Sequence, residues 1–340
     1  MNIKMKRKLC VCLSAVTALS LCACSTETPE STFDNPMPWH DAAAFGSYEK
    51  LDYKVNVYDT SASTDEKERV LIAEGDASFT LNEKPEGTSG YVFVDMSCTF
   101  VYNDLAPELD RGKTDEIKSH VEFEMNSLAA RTMTKTVKLD DREGQTNRSY
   151  KLTADYFGTH SATYSLVDGN NKTEDVQKGE VSELALSANV CRDNEMMFYV
   201  ARAQAVGVSS STNFKMVNIF DSFRNGALTE YRMLVGGGEA THNIDVGDWV
   251  KDFGVEATET TEGETTVTSY PVSCYYTSIS INDERHGPPY IVMYSEKPFT
   301  ANGKSHSKIP VQIMYSQYNG TQPYRHTEYV LTDCSFDRAE

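Results

Sequence analysis

The sequence predicts a mainly β protein, built as one large curved antiparallel sheet, a half-barrel-like meander, with one short central helix. Three observations carry this. Apolar and polar residues alternate with period two over many segments of strand length. Tyr (19) and Phe (14) are abundant and mixed with Thr and Val, the residues that suit a pleated surface. A helical pattern stands out in one place, near the middle of the chain.

In chain order, Leu51, Tyr53, Val55 and Val57 share one face against Lys50, Asp52, Lys54 and Asn56, which describes a half-buried strand. Strands are expected next at 70–81 and 92–102, the second placing Cys98 on its apolar face, then at 120–126, 130–139, 149–156 and 162–167. An Asn/Asp/Gly-rich stretch at 168–180 marks a potential division of the domain. The central helix is expected to be capped by Asp193 and to run through Met196, Met197, Phe198, Tyr199 and on to Ala203. Strands resume at 214–220, 228–235, 249–259 and 265–281, with Glu262-Gly263-Glu264 as a hairpin turn. Further strands fall at 290–295, 310–318 and 328–336.

The N-terminus has a different character. Lys4, Lys6, Arg7 and Lys8 precede an apolar run from Leu9 to Ala23 that is shorter than the roughly 20 residues a spanning helix needs. It reads as an export signal, residues 1–23. The run closes on Leu21-Cys22-Ala23-Cys24, which resembles the lipobox of bacterial lipoproteins; the resemblance implies a diacylglycerol on Cys24 and cleavage before it. Two acyl chains give stable anchoring where one is marginal. Residues 24–46, rich in Ser, Thr, Pro and acid, then form a tether of roughly 25 Å leading to a β domain at 47–340. The expected location is the extracytoplasmic side of the cell membrane or outer membrane.

The net charge of −18 becomes −22 once the four basic residues of the signal are subtracted, so phosphate backbones repel this chain and nucleic acid is not an expected partner. Beyond the anchor lie Cys98, Cys191, Cys274 and Cys334. An exported chain can keep disulfides, and Cys274 and Cys334, both mid-strand, are candidates for a bridge between neighbouring strands; buried free thiols are the alternative.

Catalytic and cofactor motifs are missing from the sequence. Gly236-Gly237-Gly238 lacks the Lys-Ser/Thr of a phosphate loop. The seven His residues stand more than four positions apart, which excludes a helical metal face, and no G-x-S-x-G elbow is present. No catalytic residue, metal or cofactor is assigned, and a non-enzymatic protein is expected. Met196, Met197, Phe198 and Tyr199 are the candidate ligand-binding residues, because Met and aromatic side chains line adaptable apolar pockets; plain core packing is the competing explanation.

The order of meander, FYVAR helix (198–202), Thr-rich hairpin, IVMYS (291–295) and KIPVQI (308–313) resembles an uncharacterised family of exported bacterial proteins. The resemblance implies the curved half-barrel of the lipoprotein-carrier superfamily, a long sheet wrapped round a helix with an apolar cavity. The expected function is binding of an apolar or amphipathic ligand, or of an envelope protein, by a membrane-anchored lipoprotein. A surface recognition module for glycan or protein is the alternative, and an envelope hydrolase ranks below both.

Overall fold

A computed structural model describes residues 48–61, 68–83, 91–124, 128–140, 149–157, 161–168, 177–181, 192–203, 215–221, 227–235, 241–262, 265–281 and 289–336. The segments expected to be an export signal and a tether, with Cys24, and Cys191 and Gly236–Gly238, lie outside them.

The chain enters the sheet at β1 (Tyr48–Asp59) and meanders through β2 (Val70–Glu83), β3 (Tyr91–Tyr102), β4 (Thr114–Glu124), β5 (Ala130–Leu139), β6 (Tyr150–Phe157), β7 (Ser161–Asp168) and β8 (Gln177–Val181). Each is antiparallel to the one before it. A two-residue strand, β9 (Arg192–Asp193), leads into a 3-10 turn (Asn194–Met196) and helix α1 (Met197–Arg202). A second wing follows: β10 (Lys215–Asp221), β11 (Ala227–Val235), β12 (His242–Asp245), the hairpin β13 (Thr258–Glu262) and β14 (Thr265–Ser269), β15 (Pro271–Ile281) and β16 (Tyr290–Ser295). The chain ends with the small hairpin β17 (Phe299–Ala301) and β18 (Lys304–His306), then β19 (Pro310–Asn319) and β20 (Gln322–Ser335).

The main sheet runs β8-β7-β6-β5-β4-β3-β2-β1-β20-β19-β16-β15-β11-β10-β9, with β12 also on β15. The first strand therefore pairs with the last, Val55 opposite Tyr329, and the two wings spread from that seam. They curl toward each other, so that one core cluster draws on both wings and on α1. The small row Ala73, Gly75 and Ala77 on β2 lets β3 approach closely: a Cβ on Gly75 would run into the Thr99 carbonyl oxygen and the Phe100 backbone. The mainly β curved sheet with a short helix inside it agrees with the sequence.

Several elements differ from expectation. The segment at 249–259 is not one strand. Asp248–Phe253 is a 3-10 turn bounded by Gly247 (φ 91°) and Gly254 (φ 86°), left-handed conformations that favour Gly, and β13 starts only at Thr258. The segment 265–281 breaks at Tyr270 into β14 and β15, and β4 begins at Thr114, ahead of the expected 120. The helical region is a 3-10 turn followed by a six-residue α-helix, and Asp193 caps it, its side chain accepting from the Glu195 N–H.

Of the two alternatives for Cys274 and Cys334, the candidate bridge is not formed and the other holds: both are free, buried thiols. Cys274 on β15 and Cys334 on β20 do face the interior, but β16 and β19 stand between their strands. Strand order, which alternation does not encode, separates them.

Candidate functional site

The interior has two parts. One is packed solid. Trp249 and Phe253 of the 3-10 turn meet edge-on at 5.8 Å, Phe253 stacks on Phe299 at 5.8 Å, and Phe336 closes against Phe253 and His306. Beside this plug, α1 inserts Arg202, whose Nη1 and Nη2 donate to Glu49 Oε1 and Oε2 at 2.5 and 3.0 Å; Nη2 also donates to the Ser307 carbonyl at 3.0 Å. Both side chains of the pair are 1% exposed. A buried two-pronged pair repays its desolvation only with such geometry. Lys308 Nζ donates to the Arg202 carbonyl, and burial together with the Arg202 charge lowers its pKa to about 8.

The other part is a half-enclosed cavity of about 520 Å3 between the wings. Its apolar lining is continuous. Phe79 (β2) stacks on Phe198 (α1) at 6.2 Å, Phe198 meets the edge of Tyr290 (β16) at 5.8 Å, and Tyr290 stacks on Tyr315 (β19) at 4.7 Å. Met96, Ile117, Met197 and Tyr329 extend the surface. The size and the aromatic lining fall within the range of small-molecule sites.

One wall is polar. Lys135 of β5 stands on the inner face between Met133 and Val137, and its Nζ donates to Glu195 Oε1 at 2.6 Å. The two side chains are 17% and 12% exposed, so this pair, unlike Arg202–Glu49, borders open space. Burial disfavours the Lys135 ammonium, but the neighbouring Glu195 carboxylate outweighs it and holds the pKa above the ordinary lysine value. Behind Glu195, Asp193 receives the Tyr156 hydroxyl and the Glu195 N–H. Burial, reinforced by the Glu195 charge, pushes its carboxyl up to about 7 against those hydrogen bonds. Asn194 completes the wall. Cys98, also lining the cavity, has its thiol pushed up to about 12, chiefly by burial.

Of the four residues expected to bind ligand, the structure brings Met197 and Phe198 to the cavity. Met196 and Tyr199 are instead buried in the core, and Tyr199 lies close enough to Glu49 and Arg202 to feel their charges. A six-residue helix turns consecutive side chains to all sides, so one stripe cannot serve one surface. Phe79, Lys135, Asn194, Glu195, Tyr290, Tyr315 and Tyr329 were not among the residues the sequence singled out. Lys135 had a readable signal: it occupies an apolar-face position of an alternating strand.

A shallower depression of about 260 Å3 on the outer face of β2–β5 is lined by Ser78, Thr80, Ser97, Thr134 and Thr136 and by the Asp95–His120 pair. Among the described residues no cluster of three or more His, Cys, Asp or Glu could hold a metal ion, and no helix is long and apolar enough to cross a membrane.

A sheet curled round a helix with a cavity inside defines the class as β-barrel-like. No protein-family model matches the chain, and no curated protein matches it. Among solved structures it is similar to the "Beta-barrel-like Protein of Domain of Unknown Function DUF1849 from Brucella abortus", at 9% identity and a TM-score of 0.49, over 87% of this chain and 100% of that one.

Proposed function

We propose that this is a non-enzymatic binding protein that holds an apolar or amphipathic ligand in the cavity between its wings. In this reading it is an extracytoplasmic lipoprotein anchored through Cys24. The cavity carries the proposal: about 520 Å3, walled largely by stacked aromatic side chains, with Lys135, Asn194 and Glu195 forming a polar wall. A fully packed interior has no such space. The anchor supports the same reading, since a tether of roughly 25 Å keeps the cavity within reach of the membrane. The outer depression, lined by hydroxyls, is the best support for recognition of glycan or protein. It offers far less buried apolar surface than the cavity.

Titration with an uncharged naphthylamine dye and native mass spectrometry of delipidated protein test the proposal. One saturable site and one retained amphiphile per chain are expected. The variant Ser119→Trp, which places an indole in the cavity from β4, should abolish dye uptake while the protein stays folded. Absence of saturable uptake in the native protein would overturn the reading.

A further inference from the structure

The polar wall restricts the ligand's head group. Resting on the cavity reading above, we propose that the site selects amphiphiles whose polar end is uncharged and bears a hydroxyl, such as a monoacylglycerol, over fatty acids of the same chain length.

The first support is charge compensation. Lys135 already spends its ammonium on Glu195 at 2.6 Å, and Asp193 lies directly behind, its Oδ1 accepting from the Glu195 N–H at 2.7 Å. A ligand carboxylate brought to this wall would place a third acid beside one ammonium in a poorly solvated space, where like charges cannot all stay ionised. A hydroxyl needs no counter-ion, and leaving water costs it far less than it costs a carboxylate.

The second support is Asn194. It lines the same cavity, and its side-chain oxygen is buried without a hydrogen-bond partner among the described residues. A buried acceptor left unmatched costs about 1–3 kcal/mol. A hydroxyl head group can donate to it, whereas a carboxylate cannot. The remaining lining, with Met197, Phe198, Tyr290 and Tyr315, suits an acyl chain and contributes no further charge. Above pH 7, where Asp193 ionises, the wall becomes more negative and the exclusion of carboxylates strengthens.

The experiment is competition for the bound naphthylamine dye at pH 8 by monooleoylglycerol and oleic acid, each below its aggregation concentration. Monooleoylglycerol should displace the dye at a concentration at least about tenfold lower than oleic acid, a difference of roughly 1.4 kcal/mol. In Glu195→Gln the wall loses one negative charge and the Lys135 ammonium loses its 2.6 Å carboxylate contact, so a ligand carboxylate is better tolerated there; oleic acid should gain about tenfold while monooleoylglycerol changes by less than about threefold. Oleic acid matching monooleoylglycerol on the native protein, or an unchanged ratio in Glu195→Gln, would overturn the head-group proposal while leaving the cavity reading standing. Dye that binds but yields to neither would do the same. Dye that does not bind at all would remove both.

Discussion

The two buried ion pairs show how one interior serves two purposes. Arg202–Glu49 is sealed at 1% exposure, forked and capped by the Ser307 carbonyl, amid an aromatic plug. Lys135–Glu195 makes one short contact at 17% and 12% exposure, at the edge of the cavity. The first pair pins α1 to the β1 seam. The second keeps donors and acceptors facing open space. Burial of charge alone does not mark a functional site; the volume left beside it does.

Removing one partner from each pair sharpens the contrast. Arg202→Met strands Glu49 in the packed half and should cost about 3–5 kcal/mol by denaturant unfolding. Lys135→Met leaves a mostly buried Glu195 that still borders the open cavity and should cost less, about 2 kcal/mol. Equal costs would erase the distinction. Aromatic truncation follows the same division. Phe299→Ala opens a void among Trp249, Phe253 and their neighbours and should cost about 3–5 kcal/mol. Tyr315→Ala enlarges a cavity already present, so its stability loss should be about half as large, with dye affinity falling instead.

A smaller effect lies in the pH dependence. The Asp193 carboxyl, raised from 3.8 to about 7, favours folding fully below about pH 4, and that contribution is lost as the pH climbs toward 7. His326, lowered from 6.5 to about 4 chiefly by burial, acts in the opposite sense. Its contribution is whole above about pH 6.5 and is lost as the pH falls toward 4. Between about pH 4 and 6.5 the two slopes, each at most about 1.4 kcal/mol per pH unit, oppose one another. Relative to the native protein, Asp193→Asn should therefore lose stability on acidification through this window, and His326→Gln should gain it. Chemical unfolding at half-unit pH steps checks both signs.

Much of the fold was legible because its strands are half-buried. In β1 and β3 the alternation of Leu51, Tyr53 and Val55, and of Val92, Val94 and Cys98, maps onto the inner face. Legibility fails where the physics departs from that pattern. The start of β4 turns Asp115, Ile117 and Ser119 inward toward polar groups and the cavity, so its inner face is not apolar and the strand is invisible before Val121. Trp249, Val250 and Phe253 look strand-like but pack from a 3-10 turn. The cavity itself depends on which strands of the two wings come to face one another. That is set by the β1–β20 seam, a pairing between the two ends of the domain that no local spacing reports. Of the cavity lining, the Met/aromatic stripe pointed to Met197 and Phe198 from the sequence, and Lys135, an inward lysine in an alternating strand, carried a signal that was there to be read.

The three described thiols offer the most direct test of the division, because Cys98 lines the cavity while Cys274 and Cys334 lie outside its lining, in the packed core. Burial raises the pKa of all three, which makes each slow toward alkylation at neutral pH and sets a common baseline. Site-resolved alkylation by a small reagent, with and without saturating monooleoylglycerol, reads them separately. Bound ligand should slow Cys98 at least about tenfold more than it slows Cys274 or Cys334. Equal protection of all three, or none at Cys98, would contradict the division.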